Sequence, residues 1–255
     1  VITASYLPTA QSPLYITPSS IFTGAVDGVW YDPSDLSTLF QDSAGTTPVT
    51  ADGDPVGLML DKSGNGFHAT QVTAGNRPVY KTDGVTSWLQ CTAASSHFMT
   101  HTANAPETGE FLGVYAFESS ASVVPFLAFG AGISTSYTGM AFRHSSTSGI
   151  QLSGSDATGS GNLVSSSVSA AKQIVSATRT TLFRNGTSLA LSTNTLGSLN
   201  LSNANKRLFC YFTFTNQLFL NGKFFGGVYV KGATTTQQRQ IAQYYLAQKS
   251  RTAIS

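Results

Sequence analysis

Between Leu39 and Gly84 the chain meets a turn signal every few residues. The stretch reads LFQDSAGTTPVTADGDPVGLMLDKSGNGFHATQVTAGNRPVYKTDG. Five groups of turn formers punctuate it: Ser43-Ala44-Gly45, Asp52-Gly53-Asp54-Pro55, Ser63-Gly64-Asn65-Gly66, Asn76-Arg77-Pro78 and Asp83-Gly84. Glycine supplies positive φ, proline fixes φ and removes a donor, and Asn or Asp hydrogen-bonds backbone close by. The apolar pieces left between them, such as Val56 to Leu60, are too short for helices. They suit short strands and ordered loops.

The rest of the chain is written in the same style. Strands are predicted at 85–91, with Leu89 and Cys91 on one face, and then at 111–117, 123–129, 139–143, 149–152, 172–178, 181–184, 189–192, 207–214 and 224–230. Asn185-Gly186 and Asn221-Gly222 each predict a two-residue hairpin, because a type I′ turn needs φ > 0 at both central residues. The Ser/Gly-rich run 153–169 predicts a long exposed loop with room for one short strand. One helix stands out near the end. Thr234-Thr235-Thr236 offers N-caps to QQRQIAQYYLAQKSR, whose Ile241, Tyr245 and Leu246 make a narrow apolar face. Lys249 and Arg251 fall where the helix dipole favours cations. Residues 1–25 hold three prolines and no helical period. They predict an extended arm lying on its own domain or on a neighbour, with a plain edge strand as the alternative. Together these elements predict an all-β fold. It is a two-sheet antiparallel jelly-roll sandwich over 26–255, with one short C-terminal helix and an extended N-terminal arm. A closed lipocalin-like barrel is the alternative.

Composition narrows the class. Only 10% of residues are charged, against about 25% in an average domain. The 16 Phe and 10 Tyr nonetheless need a core, which excludes disorder. The net charge of +2 hides an asymmetry: residues 1–118 hold 3 basic and 11 acidic side chains, residues 119–255 hold 11 basic and one acid, Asp156. Interleaved strands would mix these charges; a dipolar surface for docking copies is the other reading. Basic residues are scattered, so no nucleic-acid partner is expected. No apolar run approaches the ~20 residues of a membrane span, so no membrane insertion is expected. Cys91 and Cys210 sit in apolar runs and are expected as buried free thiols. A disulfide would need their Cα atoms within about 7 Å.

Several segments carry a family likeness. GLMLDKSGNGFHATQ at Gly57–Gln71, RPVYKTDG at Arg77–Gly84, WLQC at Trp88–Cys91, the LFRNGTSLA hairpin at Leu182–Ala190 and the ending FFGGVYVKGATTTQQRQIAQYYLAQK at Phe224–Lys249 follow one another in family order. The chain from Val26 to Lys249 resembles the concanavalin A-like, laminin-G-like jelly-roll domains. The lead-in LFQDSAGTTPVTADGDPVG at Leu39–Gly57 resembles such domains in structural proteins of tailed bacteriophages. That resemblance implies a non-enzymatic virion surface component, a tail fibre, receptor-binding or decoration protein. It implies localisation on tail or capsid, a homo-oligomer, contact with other virion proteins through the N-terminal arm, and adhesion to a host-surface glycan. A carbohydrate-binding module of a secreted protein is the alternative, and a glycoside hydrolase the second. One departure stands out: where the family often carries an acidic turn after the strand, this chain reads CTAASSHF at Cys91–Phe98.

The residues offer little for catalysis. Glycosidases need two carboxyls across the scissile bond, and none of Glu107, Glu110 and Glu118 falls in the E-x-D-x-E spacing of hydrolytic relatives of the fold. His97 and His101 lack the H-E-x-x-H context, and the histidines are expected as packed or surface groups. No cofactor is expected. Calcium is admitted through Asp52, Asp54, Asp61 and Asn65, hard oxygen donors crowded in loops, although capping of their own turns is the favoured reading. For carbohydrate, Tyr31, Trp88, Tyr137 and Phe142 are the candidate stacking rings, and a core position is the favoured reading of each.

Overall fold

The structure, a computed structural model, describes residues 17–104, 109–119, 123–134, 137–145, 149–156, 159–165, 172–196, 206–212 and 217–254. Side chains of 123–134 and 137–145 lie outside that description.

Two antiparallel sheets face each other. The first has eight strands, ordered Thr187–Ser188, Leu182–Arg184, Gln173–Ala177, Phe111–Ser119, Gly222–Lys231, Ser87–Cys91 and Val79–Thr82, with Gly28–Tyr31 also on the Gly222–Lys231 strand. That strand is central. Phe111–Ser119 runs along one side of it, while Ser87–Cys91 and Gly28–Tyr31 share the other end to end. The second sheet has ten strands, from Thr193–Asn194 at one edge to Leu39–Phe40 at the other. The Val123–Ser134, Tyr137–Ser145, Gly149–Asp156 and Gly159–Val164 meander supplies four of the ten. A two-stranded ribbon, Cys210–Phe212 with Gln217–Phe219, forms a third sheet next to the Val123–Ser134 strand. This is the jelly-roll sandwich with, among the described residues, a single α-helix, Thr236–Ser250.

The first sheet is buried on both faces. Along Phe111–Phe117 the side chains alternate: Phe111, Tyr115 and Phe117 enter the core between the sheets, and Leu112, Val114 and Ala116 enter a second core under the helix. Val29 and Tyr31 point one way and Trp30 the other. A strand buried on both sides reads as a continuous apolar run, which is what FLGVYAF and FFGGVYV show. The helix supplies Ala242, Tyr245 and Leu246 to the second core. It approaches Gly226 so closely that a Cβ there would lie 2.8 Å from Leu246 Cδ2 and 3.1 Å from Tyr31 O. Its start is a capping box: Thr235 accepts from the Gln238 backbone at 3.1 Å, and the Gln238 side chain accepts from Thr235 N at 2.9 Å. Of the predicted arm, residues 17–25 carry the 3₁₀ turn Pro18–Ile21, whose Ile21 is buried in the same core; residues 1–16 lie outside the described residues.

The turn-rich stretch is stitched by aspartates. Asp42 accepts from the backbone N–H of Ala44, Thr46 and Thr47, Asp54 from Thr50 and Ala51, and Asp83 from Val85 and Thr86. Such bonds favour the ionised form, and they hold Asp83 down at about 2 through the N–H groups of Thr86 and Val85. The DKSGNG motif docks on a strand edge. Asp61 accepts from Trp30 N at 2.9 Å, Ser63 Oγ and Asn65 Nδ2 donate to Gly28 O, and Lys62 N donates to Trp30 O. Side chains and the Lys62 backbone thus complete this edge of Gly28–Tyr31, where no strand pairs among the described residues.

Four local expectations are corrected. Asn185 and Gly186 do take positive φ, 48° and 88°, and close their hairpin. Asn221-Gly222 does not: neither has positive φ, and the strands around it belong to different sheets. Gly222 is required for another reason, since a Cβ there would lie 2.1 Å from Glu118 O across the ladder. Within 153–169, the expected loop is instead mostly the Gly149–Asp156/Gly159–Val164 hairpin. Its small residues permit close approach, a Cβ on Gly161 falling 2.1 Å from Thr195 O. The strand predicted at 207–214 is cut at Phe209, whose φ is 67°. The strand predicted at 189–192 is replaced by Thr187–Ser188 and Thr193–Asn194. Cys91 and Cys210 are free, buried thiols, and burial pushes the Cys210 thiol up to about 12.

Candidate functional site

Two clusters of rings and charges lie on the helix side of the first sheet. The first is a cleft of about 520 Å³ beside the C-terminal end of the helix, lined in part by Trp30, Asp32, Asp35, Lys62, Tyr245 and Lys249. Asp32 is its hub. The carboxylate is 1% exposed, and it accepts from Ser34 N and Oγ, from Lys62 Nζ at 3.2 Å and from the Tyr245 hydroxyl, with Lys249 Nζ at 3.9 Å. Lys62 also donates to Asp35 at 2.6 Å. Partial burial raises the Asp35 carboxyl, but hydrogen bonds from Lys62 and Ser37 outweigh it and bring the group below the usual carboxylate range. Both rings are covered: Lys62 sits 4.6 Å over Trp30, Lys249 5.2 Å over Tyr245, and the rings meet edge to face at 5.3 Å. Trp30 Nε1 is buried without a hydrogen-bond partner among the described residues. Two carboxylates share one ammonium here, and Asp35, held ionised, is unsuited to act as a general acid.

The second cluster is a strip where the helix no longer covers the sheet. Register sets it. Gln90 pairs with Lys223, and Lys223 with Glu118, across three neighbouring strands. Phe117 pairs with Gln173, so Lys172, one residue before the Gln173–Ala177 strand, stands next in the row. Beside this row lie Trp88 and Phe225, ring centroids 6.1 Å apart. Trp88 is half-buried, and its Nε1 donates to Gln90 Oε1 at 3.2 Å. Lys223 Nζ is 5.0 Å over the Trp88 ring and 3.2 Å from Glu118, both partners about a third exposed. Lys172 lies 4.9 Å over Phe225.

The candidate rings therefore part company. Tyr31 is fully buried, its hydroxyl donating to Phe67 O, and burial, with Asp61 and Tyr115 nearby, raises its pKa. A buried ring presents no face to a sugar, so the stacking expectation fails there. Trp88 reaches the surface among polar groups. Tyr137 and Phe142 belong to the Tyr137–Ser145 strand, and their side chains lie outside the described residues. The four candidate calcium ligands are spread over separate tasks. Asp52 pairs with Lys81 and accepts from Thr82 N, Asp54 caps the Thr50 turn, and Asp61 and Asn65 hold the Gly28–Trp30 edge. Among the described residues, no three His, Cys, Asp or Glu side chains are gathered to hold a metal ion. Gln90, Glu118, Lys172 and Lys223 went unnoticed in the sequence. They come from three strands and the lead-in to a fourth, and only the pairing register brings them together.

No family model and no curated protein matches the sequence. Solved structures resemble its fold. HCR D/C VPI 5995 superposes with a TM-score of 0.53 at 9% identity, over 74% of this chain and 49% of that one. The binding domain of Paraclostridial Mosquitocidal Protein 1 gives 0.49 at 11% identity, over 76% and 50%. The CBM40 of Ruminococcus gnavus IT-sialidase gives 0.42 at 12% identity, over 54% and 84%. The chain thus spans about half the length of the first two. At such identity the first match shows the fold, a β-sandwich, and no more.

Proposed function

We propose that this chain is a non-enzymatic glycan-binding module, and that the Trp88 strip is where it holds sugar. The observation that carries the reading is a half-buried indole at the surface, fixed by Gln90 and flanked by the ion pair Lys223–Glu118. Sugar recognition needs an apolar ring face for C–H groups and polar groups at its rim for hydroxyls. The ion pair is about a third exposed on both sides. Such a pair is worth at most about 1 kcal/mol, so Lys223 can leave the ring for a ligand hydroxyl at little cost. The jelly-roll fold and the sequence resemblance support the same reading. A glycan array probed with the whole chain, followed by titration calorimetry, tests it. Trp88→Ala is expected to weaken binding at least about tenfold, as loss of a central aromatic contact does; unchanged binding would sink the strip as the site.

A virion setting is the second reading, favoured by the likeness of Leu39–Gly57 to bacteriophage structural domains. On that reading the module is displayed on tail or capsid through residues 1–25. Deleting 1–16, which spares the buried Ile21, would then abolish incorporation into particles while leaving the domain folded. Incorporation of the truncated chain would overturn the docking role.

A further inference from the structure

Resting on the glycan reading of the strip, we infer that its ligand is an anionic sugar, one bearing a carboxylate or a sulfate, held with that group against Lys172. The charge count along the row decides this. Glu118 neutralises Lys223 at 3.2 Å. Lys172 stands at the far end of the row and has no carboxylate in ion-pair range among the described residues; its ammonium rests on the Phe225 ring. Phe225 is 1% exposed, so it offers no face of its own; it lies beneath both groups, its ring centroid 6.1 Å from that of Trp88 and 4.9 Å from Lys172 Nζ, and so places the uncompensated charge close to the exposed indole. A cation on an apolar ring has given up part of its water, and an incoming anion completes its shell. The other charge beside Trp88 is already balanced: Lys81, its register partner, pairs with Asp52 at 2.7 Å. The strip therefore offers one aromatic face, a row of hydrogen-bonding groups and one net positive charge, which is the complement of a pyranose with an acidic substituent. The cleft does not compete for this role, since its two lysines are both turned onto Asp32.

The test uses the whole chain and matched pairs of oligosaccharides: a uronate-containing glycan against the same glycan with its carboxyl groups reduced to alcohols, and a sulfated glycan against its desulfated form. The acidic member of one pair is expected to bind about fivefold more tightly, the size of one exposed ionic contact. Lys172→Gln should abolish that preference, bringing the acidic member down to the neutral member's affinity, and Lys172→Arg should keep it. Raising salt from about 0.05 to 0.5 M should narrow the preference, because exposed charges are screened. The two pairs separate carboxylate from sulfate. Equal binding of acidic and neutral members, or Lys172→Gln without effect on the difference, overturns the anionic class and leaves glycan binding standing. Failure of every glycan to bind, or binding indifferent to Trp88→Ala, overturns the strip as a glycan site and this inference with it.

Discussion

The cleft around Trp30 and the strip around Trp88 are made of the same parts: a tryptophan, lysines over aromatic rings, and carboxylates. They differ in water. Asp32 is 1% exposed, whereas Glu118 and Lys223 are about a third exposed. A buried carboxylate must be fully hydrogen-bonded, and its partners are then bound to it at a cost of several kcal/mol to separate. An exposed pair forms and parts almost freely. The same chemistry thus becomes a latch in one place, tying the helix to the end of the Gly28–Tyr31 strand, and a recognition surface in the other.

The largest expected effect tests the latch. Asp32→Ala leaves the Tyr245 hydroxyl without its buried acceptor and Lys62 with Asp35 alone. Stability should fall by about 3 kcal/mol, read as a lowered urea midpoint, while glycan affinity of the folded fraction stays as it was. A loss under about 1 kcal/mol would mean that the cleft is not holding the helix. Trp88→Ala should do the reverse. It should remove most binding and cost only about 1–2 kcal/mol of stability, less than a fully buried tryptophan would. If the two variants behaved alike, the contrast between the clusters would collapse.

How much of this was legible in the sequence follows from the range of each interaction. Turns nucleated by Asp42, Asp54 and Asp83 depend on neighbours a few residues away, and so does the Asn185-Gly186 hairpin; these could be read directly. So could the Thr235 cap. Asn221-Gly222 carries the same dipeptide as Asn185-Gly186, yet it joins strands of different sheets, because the next strand is claimed by Phe111–Ser119 across the ladder. A local signal loses to that long-range pairing. The run 153–164 was misread for a related reason: its serines and glycines look like loop, but they extend the 149–152 strand into a hairpin, and Gly161 permits close packing against 195–196. Of the site, only Trp88 was visible, as one aromatic among several. Gln90, Lys223, Glu118 and Lys172 become neighbours only through a register spanning four strands.

The helix gives a smaller test of the same comparison, since Thr235 caps the end opposite the cleft. Thr235→Ala removes the acceptor for Gln238 N and should cost about 1 kcal/mol, with the Asp32 latch still holding the last turn. Combined with Asp32→Ala, whose partner Tyr245 lies on the same helix, the loss should exceed the sum, because neither end would then be fixed. Simple additivity in a denaturation cycle would show that the two ends are held independently.

Acid is the gentlest lever, and it bears on the cleft through Asp35. Asp35, Asp54 and Asp83 all have carboxyl groups held below the ordinary value of 3.8 in the folded chain, Asp83 at about 2. A folded pKa below the unfolded one means that the unfolded chain takes up protons first, so the stability these groups contribute is whole above about pH 4 and drains away as pH falls toward 2. His97 acts earlier. Burial lowers its pKa from 6.5, although a hydrogen bond with the Gln90 backbone works the other way, and its Nδ1 accepts from Thr92 N at 3.2 Å, which only the neutral ring can do. Its contribution is complete above pH 6.5 and shrinks below it, again because the unfolded chain protonates first. Urea midpoints measured from about pH 7 down to pH 2.5 should therefore fall in two stages. His97→Gln, which keeps an acceptor but does not titrate, should flatten the upper stage. Asp83→Asn should weaken the lower one. An upper stage that survives His97→Gln would remove His97 from the account and leave the loop at 92–97 without an acid-sensitive contact.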